Sequence, residues 1–118
     1  MIINPSDLKG IQICREAVDL RKGIDGYAAL VQNTLNLDPF DGSLYLFTNR
    51  AHNKVKGILY NGKGFWLFYF RPESGRFKWR ISKDGKSAQI TQQQMEWLFN
   101  GMAMENVSAF EERRPIYA

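Results

Sequence analysis

Residues 64–70 read GFWLFYF, six large apolar or aromatic side chains in succession after one glycine. A chain must bury such a run, cross a membrane with it, or grip something with part of it. The run is far shorter than the roughly 20 residues a spanning helix needs. Its flanks, KVKGILYNGK before and RPESGRFKWR after, are basic and carry turn residues. Asn61-Gly62 suits a two-residue type I′ hairpin turn, so KVKGILY and GFWLFYF read as paired antiparallel strands. From residue 43 the apolar pattern has period two, with SLYLFT before this hairpin, and RFKWRI and SAQI after it, as further strands.

Alternation then defines two faces. With the Asn61-Gly62 turn setting the register, Ile58 opposes Phe65, Lys56 opposes Leu67 and Lys54 opposes Tyr69. Val55, Leu59, Trp66, Phe68 and Phe70 share one face, joined by Phe77, Trp79 and Ile81; this apolar face reads as the core. Lys54, Lys56, Ile58, Tyr60, Phe65, Leu67, Tyr69 and Arg71 share the other, with Arg76, Lys78 and Arg80 beside them. Cations mixed with rings suit nucleic acid, where phosphates meet Lys and Arg while rings stack. The same face fits a second packing layer, with basic side chains reaching around it to solvent.

Two helices are available as cover. DLRKGIDGYAALVQNTLNL, residues 19–37, has helical spacing at Leu20, Ile24, Tyr27, Leu30, Val31, Thr34 and Leu35, with Asp19 as N-cap. Gly23 and Gly26 each weaken a helix by about 1 kcal/mol relative to Ala. They therefore require close packing or a later helix start. Thr91 caps a second helix, QQQMEWLFNGM, whose apolar face is Met95, Leu98, Phe99 and Met102. IQICREAV at 11–18 reads as a strand, DPFDGS at 38–43 as a turn. The expected fold is α+β: an antiparallel sheet of about five strands, a meander with hairpins, packed on one face by two helices. The 118 residues suit a single domain, with loose ends at 1–10 and 105–118.

Charge is distributed unevenly. Residues 50–86 hold ten Lys and Arg against Glu73 and Asp84, while the chain as a whole carries only +4. Such asymmetry points to a polyanionic partner, or to a well-solvated sheet surface. The opening residues MIINPSDLKG lack the basic start and apolar stretch of a secretory signal, and a lone Cys14 excludes an intrachain disulfide. Both fit a cytoplasmic protein away from the membrane.

Little in the chain reads as catalytic. His52 is the sole histidine and stands without partners at ligand spacing; Cys14 reads as a small buried residue. Glu16, Asp19 and Asp25 could hold Mg²⁺ for phosphoryl transfer, but a cap at Asp19 and ion pairs with Arg21 or Lys22 account for them more simply. No phosphate-binding loop, dinucleotide fingerprint, zinc pattern or nucleophile elbow occurs. The reading is a non-enzyme without cofactor or metal.

The blocks VDLRKGIDGYAALV, DPFDGSLYLF, KVKGILYNGKGFWLFYFRPESGRFKW and ITQQQMEWLFNGM stand in that order between residues 18 and 102. The ordered set resembles the small accessory protein of the bacterial insertion-sequence family numbered sixty-six, the second-reading-frame product of such elements. The resemblance implies a role in transposition beside a separate transposase that carries the acidic-triad catalysis. Its DLRKGIDG block covers Asp19, Arg21, Lys22, Gly23, Asp25 and Gly26, which are structural or a partner surface. Many members have a more arginine-rich turn than TNRAHN and a more basic tail than ENVSAFEERRPIYA. That leaves the sheet cations as the main support for DNA contact. Two expectations follow. In one, Lys54, Lys56, Tyr69, Arg71, Arg76, Lys78 and Arg80 contact double-stranded DNA. In the other, Asp19, Arg21, Lys22, Asp25, Phe65 and Leu67 dock a protein of the same element, the transposase first.

Overall fold

The computed structural model describes residues 8–72 and 86–100. In chain order they form β1 (Ile11–Cys14), α1 (Ile24–Asn33), β2 (Leu44–Thr48), β3 (Val55–Tyr60), β4 (Phe65–Phe70), β5 (Ser87–Gln89) and α2 (Gln92–Phe99). The strands make one mixed sheet in the order β4-β3-β2-β1-β5. The fold is α+β and mostly antiparallel. The β2-β3-β4 meander is as expected from the period-two pattern, and β5 pairs antiparallel with β1. The β1–β2 pair is parallel, with Ile11 beside Leu44 and Ile13 beside Leu46. Parallel neighbours need a crossover, and the stretch containing α1 supplies it. The expected strand RFKWRI, with Arg76, Lys78 and Arg80, lies outside the described residues, as do Met102 and both chain ends.

The two helices cover opposite faces, which corrects the single-face arrangement. Ile11, Ile13, Leu44, Leu46, Val55 and Leu59 cluster with Met95 and Leu98 of α2. Cys14, Tyr45, Phe47 and Ile58 cluster with Tyr27, Val31 and Leu35 on the α1 side. Every residue of β2 is buried, because β2 is sandwiched between both clusters. Ile58 and Phe65, assigned from the sequence to the cation-bearing face, therefore belong to the α1 core or its margin. Conversely, Trp66 and Phe70 are not core: they are 45% and 37% exposed, with Phe68 half-buried between them. The buried residues of the α2 cluster come mostly from β1, β2, β3 and α2, with Phe68 of β4 packed against them; the Phe70 ring lies 4.9 Å from that of Phe99 at the end of α2.

The hairpin loop is four residues long, not two. Asn61 N–H donates to Gly64 O at 3.0 Å, and the Asn61 side-chain oxygen accepts from Lys63 and Gly64 N–H. Gly62 takes a φ of +94°, which only glycine adopts without strain. Tyr60 thus opposes Phe65, Ile58 opposes Leu67 and Lys56 opposes Tyr69, two residues off the expected register. An even shift preserves the faces.

Asp19 is not the N-cap of α1. The helix starts five residues later with Gly23 in the cap position, and Asp19 instead accepts from Arg21. The late start accounts for Gly23. At Gly26 a Cβ would come within 3.1 Å of the Lys22 side chain, so a neighbouring segment lies close there. The Thr91 cap of α2 is as read: Thr91 Oγ1 accepts from Gln94 N–H at 3.0 Å, and Gln94 Oε1 accepts from Thr91 N–H at 2.7 Å, a reciprocal capping box.

One buried group is poorly matched to its surroundings. Tyr27 is fully buried, its ring stacked on Phe47 at 4.9 Å, and its hydroxyl has no hydrogen-bond partner among the described residues. Burial, reinforced by the Asp19 charge, pushes its pKa up to about 12. Tyr27→Phe removes the orphan hydroxyl and is expected to stabilise the fold by about 1 kcal/mol. The phenol is protonated in both states below the unfolded value of about 10. Between there and 12 only the unfolded chain loses its proton. This group's contribution therefore falls by about 1.4 kcal/mol per pH unit over that window. Urea melts at pH 9 and above should show a shallower alkaline decline for the Phe variant; parallel curves would contradict this.

Candidate nucleic-acid interface

After β1 the chain does not go straight into α1. Val18 N–H donates to Thr48 O at 2.9 Å, so the segment passes the end of β2. Asp19 then turns it: its carboxylate accepts the Arg21 backbone N–H at 2.9 Å and the Arg21 guanidinium at 2.8 to 3.2 Å. Those bonds hold the Asp19 carboxyl well below the usual carboxylate range, the guanidinium being the main cause. Leu20 packs against the α1 cluster, and its carbonyl accepts from Lys56 Nζ at 2.7 Å. This one bond ties the strap 18–21 to β3.

The strap and the β3–β4 pair enclose an open cleft of about 470 Å³, lined by Asp19, Leu20, Arg21, Asn49, Lys54, Lys56 and Tyr69. Lys56 and Tyr69 are direct cross-strand partners, and the Lys56 ammonium lies 5.6 Å from the Tyr69 ring centroid. That is within reach of a cation–π attraction. Tyr69 is nevertheless 54% exposed. Asn49 shapes the β2–β3 loop: its side-chain oxygen accepts from Asn53 and Lys54 N–H, and its amide donates to Asn53 Oδ1 at 2.7 Å. This places Lys54 at the mouth of β3.

The cleft brings together residues that the sequence assigned to two different surfaces. Asp19 and Arg21 from the DLRKG block meet Lys54, Lys56 and Tyr69 from the sheet. Lys22 and Asp25 are exposed but do not line it; Asp25 sits in the first turn of α1, where a carboxylate favours the helix dipole. Arg71 is exposed two residues beyond Tyr69. The sequence spacing places Leu20 in the first helix, which begins only at Ile24, and marks neither it nor Asn49 as a site residue. The paired asparagines of TNRAHN were the available signal for a self-capped loop.

A second group lies at the other end of β4. The rings of Phe40, Tyr60 and Phe65 stand 5.0 to 5.2 Å apart. Phe40 is held out by the DPFDGS turn, where Asp38 accepts its N–H, and remains 55% exposed. Leu67, also exposed, continues this apolar strip toward Tyr69.

The carboxylates do not assemble a metal centre. Asp19 is engaged by Arg21, and among the described residues no group of three His, Cys, Asp or Glu side chains gathers to hold an ion. Cys14 is buried, which pushes its thiol pKa up and makes it a poor nucleophile. Among the described residues no helix is long and apolar enough to cross a membrane.

The family described as IS66 Orf2 like protein matches residues 9–109. The chain belongs to that family. It is thereby an accessory-type protein of an insertion-sequence element. Two proteins of Sinorhizobium fredii strain NBRC 101917 / NGR234 are similar to it, both named only as uncharacterized. The protein y4hO is 37% identical over 71% of this chain and 72% of its own length. The protein y4jC is 29% identical over 97% of each. No solved structure is a significant match.

Proposed function

We propose that this IS66 Orf2-like protein works in the cytoplasm beside the separate transposase of its element and holds double-stranded DNA by its backbone. The observation that carries this is the cleft, where Arg21, Lys54 and Lys56 converge around an exposed tyrosine ring. Arg71 extends the cationic surface, and Lys56 keeps two donors after bonding Leu20. Asp19 does not repel phosphate strongly, because Arg21 neutralises it. Arg76, Lys78 and Arg80 belong to the same proposal by sequence. Strand cleavage and joining fall to the transposase.

The test is a salt series of duplex binding. Arg21, Lys54, Lys56 and Arg71 on phosphates alone predict a slope of log K against log salt of about −3.6, so affinity falls at least about a hundredfold between 50 and 200 mM, and more steeply with Arg76, Lys78 and Arg80 also engaged. No binding at the lowest salt would sink the reading.

The exposed Phe40–Leu67 strip favours a second reading, docking on the transposase without DNA contact. Of the partner residues read from the sequence, Leu67 fits this surface best, because Phe65 lies partly beneath it. Co-purification with the transposase, lost in a Phe40→Ser/Leu67→Ser variant while DNA binding is absent throughout, would establish docking in place of DNA.

A further inference from the structure

We infer that the cleft between the strap 18–21 and β3–β4 takes a single unpaired nucleotide, so that the preferred DNA is a duplex with a frayed or single-stranded end. This rests on the reading that DNA is the partner. The volume of about 470 Å³ is that of a small-molecule site. A continuous duplex keeps its bases stacked inside and presents sugar and phosphate outward. It would use the cations but not the ring. Tyr69 stands in the cleft wall with more than half its surface open and the Lys56 ammonium 5.6 Å from its ring centroid. An aromatic ring among phosphate-binding cations serves to stack a base that has left the helix.

The polar groups around the ring sharpen the inference. The Asn49 side-chain oxygen accepts from Asn53 and Lys54 N–H and one of its two amide N–H groups is on Asn53 Oδ1, so it cannot offer a base edge the paired donor and acceptor of a free amide. Arg21 has part of its guanidinium on Asp19, leaving other N–H groups for a phosphate. The site therefore supplies a stacking surface and charge without a base-reading fork. The nucleotide should be accepted with little regard to its identity.

The experiment measures anisotropy of a labelled blunt duplex and of the same duplex with a short single-stranded overhang. The wild type should bind the overhang about tenfold more tightly than the blunt duplex. Tyr69→Ala should abolish that difference, so that within this variant the overhang and the blunt duplex bind equally. Tyr69→Phe should keep it, and Tyr69→Leu, which preserves bulk without the π face, should lose it. Overhangs of different base should bind alike. Equal affinity for both DNAs, or a preference that survives Tyr69→Ala and Tyr69→Leu, overturns the inference and leaves backbone binding standing. Polyglutamate displacing the overhang as well as it displaces blunt duplex would make the cleft a general polyanion site, also against it. Absence of binding to either DNA would remove the parent proposal as well.

Discussion

Gly57→Val should destabilise the protein by about 3 kcal/mol, at the upper end of the cost of overfilling a packed core. Gly57 lies in β3 between Leu46 on β2 and Phe68 on β4. A Cβ there would stand 2.8 Å from Leu46 Cδ2, 3.2 Å from the Tyr45 carbonyl oxygen and 3.4 Å from Leu44 Cδ1. The leucine methyls can rotate aside at some cost. The Tyr45 carbonyl belongs to the backbone of fully buried β2 and cannot. Gly57→Ala should therefore also be destabilising, by about 1 kcal/mol or more, although alanine ordinarily improves on glycine inside a strand. Gly64→Ala is the control: nothing stands within 4 Å of a Cβ at that position, and it should lie within about 0.5 kcal/mol of the parent. Urea melts with a common m-value compare the three. A Gly57→Ala protein as stable as the parent would mean that β2 and β3 are less rigidly packed than the close approach requires.

The same pair of strands shows what the sequence could and could not convey. The period-two pattern after residue 43 located β2, β3 and β4, because alternation is a local property of each strand. The capping box at Thr91 and Gln94 was equally local. The register was off by two residues because Asn61 builds a four-residue loop with its own side chain, a choice the Asn-Gly dipeptide does not reveal. The opposite placement of the helices is a long-range fact. It had one legible trace: Leu44, Tyr45, Leu46 and Phe47 are apolar in succession, as a strand covered on both faces should be. Trp66 and Phe70 misled for the converse reason. Alternation gives a side chain its face but not its distance from the centre of the sheet, and among the described strands β4 lies at one end of the order.

The cleft was legible only in pieces. Lys56 and Leu20 are 36 residues apart in sequence, and only the folded strap brings them together. That bond also changes how the cations should be tested. Lys56→Gln would loosen the strap as well as remove a charge, so its effect on DNA would be ambiguous. Lys54 and Arg71 are better targets.

A Lys54→Gln/Arg71→Gln variant should bind duplex DNA about 60-fold more weakly at 0.1 M salt, with its salt slope reduced by about 1.8. Each lost phosphate contact removes about 0.9 from the slope, and the counterion-release contribution vanishes near 1 M salt, where the two proteins should converge. The matched control is Lys9→Gln/Lys63→Gln, which removes the same net charge from exposed positions. The Lys9 backbone N–H donates to Gly42 O, just before β2, and Lys63 lies in the β3–β4 loop. Both are at the end of the sheet away from Lys54 and Arg71. If affinity depended only on total charge, the two variants would weaken alike. A large loss for Lys54/Arg71 beside a small one for Lys9/Lys63 would require phosphates to sit at the cleft end of β3 and β4. Equal losses would reduce the basic segment to a diffuse electrostatic attraction, and the exposed strip from Phe40 to Leu67 would become the surface through which this protein meets its partners.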